Sequence, residues 1–167
     1  ETFILMLNHQ QELGMARKFT SHFPEATASY FLDTEQLAVI KADRSIHVYF
    51  IPRIGHQQPA LLTKLPAIIG DLLKVFKLPD FGYGAVYSDG KMVLWREESL
   101  TKAQKYTVNL TLFRIQAFYL DCRNQYKQVL WLGLSNGKLL IVQLEPASLI
   151  IKIICEAKWH QQAIHRL

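Results

Sequence analysis

One hairpin pattern, met three times at a nearly constant interval, constrains this chain more than anything else in it. The copies are LAVIKADRSIHVYF (37–50), YSDGKMVLWREES (87–99) and LWLGLSNGKLLIVQL (130–144). Their turn residues align as Asp43-Arg44, Asp89-Gly90 and Asn136-Gly137, 46 and then 47 residues apart. Apolar residues follow each anchor at fixed offsets: Ile46, Met92 and Leu139 three residues on, Val48, Leu94 and Ile141 five on, Tyr49, Trp95 and Val142 six on. Each copy reads as an apolar strand, an Asx-type turn and a second strand with apolar alternation. Asp and Asn suit the turn because the side chain can bond its own backbone, and Gly because it takes a positive φ without a Cβ clash. Arg44 breaks the glycine preference, so the first turn is expected to be of another type or mildly strained.

Around these anchors, short runs rich in Val, Ile, Phe, Tyr and Trp are punctuated by Gly, Pro, Asn and Asp. They predict strands near 26–31, 36–41, 45–51 and 60–65, then 72–77, 83–87, 91–96 and 105–109, then 112–119, 129–134, 138–144 and 149–157. Four strands per interval is the size of one propeller blade. The expected fold is all-β, a partial β-propeller of about three four-stranded antiparallel blades. They would cover approximately 20–65, 66–109 and 110–157 of a single segment, with 1–19 as an extra strand or edge. The competing reading is a helix over 60–78, whose leucines also fit a helical spacing, although Pro66 and Gly70 interrupt it. Ser99 to Lys105 would suit a polar helical turn.

Half of the 167 residues are apolar and only 20% are charged, which fits a globular chain rather than a disordered one. Nineteen basic against fourteen acidic residues give +5, a balance that could suit an acidic partner or phosphate surface. No Lys/Arg run exceeds two, and aromatic-basic interleaving is lacking, so nucleic acid binding is not expected. Cys122 and Cys155 lie among apolar neighbours without zinc or disulfide spacing and read as buried free thiols in a reducing compartment. The opening ETFILMLNHQ has no basic start, and the apolar-rich stretches near 60–76 and 139–155 are interrupted well short of a membrane span. A soluble cytoplasmic or nuclear protein is expected, and the start at Glu1 suggests part of something longer.

Sites for chemistry are not apparent. Of His9, His22, His47, His56, His160 and His165, only the last two lie close together, at a spacing that matches no standard zinc motif. Glu97 and Glu98 would point to opposite faces of a strand. No P-loop or dinucleotide fingerprint occurs; Gly133-Leu134-Ser135-Asn136-Gly137 has the Gly-x-Ser-x-Gly spacing of a nucleophile elbow but reads as the end of a strand and the third hairpin turn, and Gly82-Tyr83-Gly84 reads as a turn. The expectation is a non-enzyme with no cofactor, no metal and no small-molecule substrate. Trp95, Trp131 and Tyr49 read as packing residues, whereas Phe3, Ile4, Leu5, Leu7 and Trp159 are candidate partner-facing anchors.

The copies resemble the WD-repeat propellers, and within them the branch that holds the COPII coat protein Sec-thirteen and the nuclear-pore protein Seh-one, being most like the nuclear-pore member. DLLKVFKLPDFGYGAVYSDGKMVLWREES (71–99) resembles that branch's second blade through Pro79, Asp80, Phe81, Gly82, Ser88, Asp89, Trp95, Glu97 and Glu98. The first copy is similar to the first blade through His22, Phe31, Leu37-Ala38 and Ala42-Asp43-Arg44-Ser45, and the third to the third blade through Ser135-Asn136-Gly137 and Glu145-Pro146. The chain has no Trp-Asp dipeptide at any strand end, so the family's Asp-His-Ser-Trp tetrad is not carried over and the resemblance is to a divergent or partial member. The resemblance implies a scaffold of the nuclear pore outer ring (Y complex) at the nuclear envelope, serving protein and mRNA transport, with a further role in a nutrient-signalling coat at the vacuole or lysosome. A COPII-type vesicle coat at the endoplasmic reticulum is the alternative, and a propeller with a central-channel ligand or hydrolase site is the reading from another class. Three blades cannot close a ring. The resemblance accordingly implies an α-solenoid protein subunit that completes the propeller by strand addition, with ETFILML and the third blade's outer strand as candidate edges.

Overall fold

The computed structural model describes residues 2–4, 17–19, 23, 25–52, 59–66, 69–99, 102–121, 127–145 and 148–163. The chain divides into two compact units, Glu1–Ile68 and Ile69–Leu167. The fold class is all-β: three four-stranded antiparallel sheets, as in a partial propeller of about three blades, and no α-helix among the described residues.

In the first unit, β1 (Thr2–Ile4) pairs antiparallel with β2 (Arg17–Phe19) in a two-stranded sheet, Phe3 standing opposite Lys18. Leu5 and Leu7 lie outside the described residues, as do His9, His22, His56, Cys122 and His165. The four-stranded sheet runs in chain order through β3 (Ala26–Phe31), β4 (Gln36–Lys41), β5 (Ile46–Phe50) and β6 (Ala60–Leu65). β4 buries Leu37, Ala38, Val39 and Ile40 in succession, the run expected of a strand covered on both faces. Leu37 and Val39 pack with Phe23, Ile51 and Tyr49, whose ring meets Phe23 edge-on at 4.8 Å. In β6, Thr63 and Leu65 are buried and Lys64 between them is exposed. That period of two overrides the helical spacing of the leucines over 60–78. The segment is divided between β6 and β7 (Leu72–Leu78), separated by Pro66, which lacks the N–H a helix needs, and Gly70 at φ 145°.

The second unit holds two sheets: β7, β8 (Gly82–Tyr87), β9 (Lys91–Ser99) and β10 (Lys102–Asn109), then β11 (Ile115–Asp121), β12 (Gln128–Leu134), β13 (Lys138–Glu145) and β14 (Ile150–Lys158). Gly82-Tyr83-Gly84 is not a turn, because the turn lies just before it at Pro79–Phe81 and all three residues belong to β8. Gly84 is required instead by its cross-strand partner Phe76, whose ring occupies the space a Cβ would take. Nor is Ser99–Lys105 a helical turn. Ser99 ends β9, and Lys102–Lys105 open β10, where Gln104 faces Arg96 and Lys105 faces Trp95. The polar run there reflects an outer strand in water, on which Gln104, Lys105, Thr107 and Asn109 are exposed and Tyr106 and Val108 face the core.

The core of this unit lies between its two sheets. Phe76, Leu78, Val86, Met92 and Leu94 pack with Leu130, Leu132, Leu134, Leu140, Val142 and Leu144, and Phe76 stacks on Phe118 at 5.5 Å. Burying one such leucine contributes about 2 kcal/mol, so this face outweighs any surface ion pair here. Val75, Tyr83, Ala85, Tyr87, Val93 and Trp95 are buried as well. Ser88 joins the two sheets through its backbone: its N–H donates to the Asp71 carbonyl at 2.8 Å, and its carbonyl accepts the Ile115 N–H at 2.9 Å.

Candidate protein-interaction surface

The three anchors make the same turn. Asp43 accepts the Ser45 N–H at 2.9 Å, Asp89 the Lys91 N–H at 3.2 Å and Asn136 the Lys138 N–H at 3.1 Å. The next residue is left-handed each time, with φ of 67° at Arg44, 88° at Gly90 and 78° at Gly137. Its N–H bonds the carbonyl three residues back, to Lys41, Tyr87 and Leu134 respectively, which is the three-residue hairpin loop with a left-handed final residue. Arg44 therefore belongs to the same turn type as the glycines and carries its strain in the side-chain-bearing Cα.

In the second unit the two glycines have a further task. The chain leaving the outer strand folds back on the hairpin of its own sheet: Leu110 N–H donates to the Gly90 carbonyl at 2.9 Å, and Trp159 N–H to the Gly137 carbonyl at 3.0 Å. A Cβ at Gly90 would collide with the Thr111 carbonyl oxygen, and one at Gly137 with the carbonyls of His160 and Gln162.

Charges near the turns are paired locally rather than gathered. The Ser45 hydroxyl and N–H hold the exposed Asp43 carboxyl below its ordinary value. At Asp89 burial pushes up, but the Lys91 ammonium at 2.6 Å and its N–H outweigh it and the carboxyl titrates low. Burial, with Asp89 beside it, pushes the Tyr87 phenol up to about 12. His47 titrates low because burial disfavours its charge, and Lys64 and Lys41 add to that. Among the described residues no three His, Cys, Asp or Glu side chains gather as metal ligands would. A depression of about 200 Å³ on the first sheet is lined by Phe23, Ala26, Thr27, Ala28, Ser29, Leu37 and Val39, a set with hydroxyls but no titratable group. No helix among the described residues is long and apolar enough to cross a membrane.

The surface that stands out is the outer strand of the third sheet. Ile150, Ile153 and Ile154 of β14 are about half exposed, Trp159 just beyond the strand is 67% exposed, and Cys155, expected to be buried, is exposed because its strand ends the sheet. Trp131, by contrast, is half-buried against Ala117 and Leu139, and Trp95 is wholly buried with its indole N–H unpartnered. The strand is the third blade's outer strand, a candidate edge already in the sequence; the exposure of its isoleucines is not legible there, because IIKIICEAK is as apolar as a core strand and only its place at the end of the sheet order exposes it.

No family model matches the sequence, and no curated protein matches it. Among solved structures, the crystal structure of the Saccharomyces cerevisiae Sqt1, a WD-repeat protein, is similar with a TM-score of 0.57 at 12% identity, over 87% of this chain and 38% of that one. The chain thus spans well under half the length of the structure it matches. At that identity the likeness concerns fold alone: the three four-stranded antiparallel sheets fit a WD-like propeller.

Proposed function

We propose that this chain is a non-enzymatic scaffold that acts by binding other proteins, and that it belongs to a multisubunit coat as a nuclear pore outer-ring subunit of the Seh-one type. The observation that carries the scaffold reading is the third sheet's outer strand, where aliphatic side chains stand in water beside a backbone edge that no strand among the described residues pairs. Large apolar groups held on a rigid sheet are what binding hot spots are made of. The finer assignment draws on the resemblance of 71–99 and its neighbours to the first three blades of that branch. On this reading an α-solenoid subunit completes the propeller at the nuclear envelope, and the same chain serves a nutrient-signalling coat.

Purification of the tagged protein, followed by mass spectrometry of stoichiometric partners, tests both levels. The expected result is an α-solenoid subunit of the nuclear pore at a one-to-one ratio. Recovery of a COPII-type solenoid instead would keep the scaffold and replace the nuclear pore. A monomer with a closed, protease-resistant core and no partner would refute both.

A further inference from the structure

We propose that the end of the second unit where its two glycine turns lie is a membrane-contact surface, whose loop tips enter the headgroup region of an anionic lipid bilayer. The site goes beyond the scaffold reading and does not depend on it.

Backbone hydrogen bonds gather the loops at this end. The Ser88 N–H donates to the Asp71 carbonyl at 2.8 Å, which holds 69–71 beside the second turn. The loop between β10 and β11 is fixed between the second and third turns, because the Ile115 N–H donates to the Ser88 carbonyl at 2.9 Å and the Arg114 carbonyl accepts the Ser135 N–H at 2.8 Å. The chain beyond β14 is tied to the third turn by the Trp159 and His160 N–H groups, which both donate to the Gly137 carbonyl at 3.0 Å. Each of these loops holds a large apolar side chain in water: Ile69 is 84% exposed, Leu112 99% and Trp159 67%, with Phe113 partly exposed beside Leu112. A single exposed hydrophobic residue is ordinary, but four on the neighbouring loops of one end are not.

Cations stand between these tips. Lys138 faces Lys158 across the strand pair, and its ammonium lies 5.8 Å from the centre of the Phe113 ring. Three carboxylates share the surface: Asp89 bonds Lys91 at 2.6 Å, Glu156 bonds Lys138 at 2.7 Å, and Asp71 stands 3.5 Å from Arg114. Lys158 has no carboxylate partner among the described residues, so this end is left positive, the sign of the whole chain's +5. The pairs are exposed, and exposed pairs are weak enough for lipid phosphates to compete for the cations.

Shape and charge together favour a bilayer over a protein. The apolar tips are separated by charged side chains, so a protein would need a pocket for each, whereas binding hot spots cluster in one desolvated centre. A fluid bilayer takes in each tip where it stands, seats an indole at its interface and offers anionic headgroups to the cations between.

The test is flotation of the full chain with vesicles of phosphatidylcholine, alone or mixed with phosphatidylserine, alongside tryptophan fluorescence. Binding to the anionic vesicles should be at least roughly tenfold tighter than to the neutral ones and should weaken as salt rises. Tryptophan emission should shift to the blue on binding, and Trp159→Phe should remove most of that shift, since Trp95 is wholly buried already. Leu112→Ser should weaken binding roughly tenfold, on the scale of burying one leucine side chain. Arg114→Gln with Lys158→Gln, which alters only exposed side chains, should erase most of the preference for phosphatidylserine. Ile154→Ser, on the strand edge away from these loops, should leave vesicle binding unchanged. Equal binding to both kinds of vesicle, undiminished binding by Leu112→Ser, or loss of binding in Ile154→Ser would each overturn the proposal. An absence of vesicle binding beside a stoichiometric protein partner would strike this site and leave the scaffold reading standing.

Discussion

Replacing Gly90 by alanine and Arg44 by glycine should move stability in opposite directions, although the two residues hold the same position in the same turn. At Gly90 an alanine inherits φ 88°, which costs an L-residue about 1–2 kcal/mol. Its Cβ would meet the Thr111 carbonyl oxygen, which is backbone and cannot swing aside. Moving it strains the Leu110 to Gly90 hydrogen bond, worth about 1 kcal/mol. Alanine returns about 0.4–1 kcal/mol by narrowing the unfolded ensemble. The net loss is about 2 kcal/mol. At Arg44 glycine removes the same left-handed penalty and gives back about 0.4–1 kcal/mol to unfolded-state entropy, for a net gain of about 0.5–1 kcal/mol. Urea unfolding followed by circular dichroism measures both: with a slope of about 2 kcal/mol/M, the Gly90→Ala midpoint should fall by about 1 M and the Arg44→Gly midpoint should rise by about 0.3–0.5 M. A neutral Gly90→Ala variant, or a destabilised Arg44→Gly variant, would refute the argument from turn geometry.

Asp43→Asn should keep its turn, since Asn136 makes the same bond in the third copy, but lose its acid sensitivity. The folded Asp43 carboxyl lies below its ordinary value of 3.8, so its contribution is present above that value and disappears as pH falls through the folded one. Urea midpoints compared between about pH 5 and pH 2 should drop less in the variant. Gln128 is wholly buried with both side-chain polar atoms unpartnered, so Gln128→Leu should stabilise by about 1 kcal/mol, read as a higher melting temperature; a loss of that size would reveal a partner the amide depends on. Leu132→Ala, in the core of the second unit, should cost about 2–5 kcal/mol in a denaturant titration, whereas Leu112→Ala, at 99% exposure, should change nothing measurable.

Hairpins were the legible part of this fold because they are local. An Asp or Asn, a glycine and alternating apolar residues lie within about ten positions of one another, and the same bonds recur at Asp43, Asp89 and Asn136. Contacts between distant parts of the chain left fainter traces. Gly82 and Gly84 look like turn residues until Phe76 is seen lying over Gly84 across the strand pair, and the glycines at 90 and 137 give no sign that Thr111 and His160 press against them. Ser99–Lys105 reads as a polar turn because an outer strand in water needs no apolar face beyond Tyr106 and Val108. At the candidate surface, Trp159 and the third blade's outer strand could be singled out, but not which of that strand's isoleucines stand in water, since exposure depends on the neighbours each one meets.

The return of the chain to Gly90 and Gly137 bears on how such a molecule is made. Each sheet of the second unit closes its own circuit of bonds within one repeat of sequence, and at about 5–20 residues per second a ribosome delivers that length in seconds. The finished sheet then fixes the heading of the emerging chain, so that the start of the next sheet is aimed before its remaining strands have been synthesised.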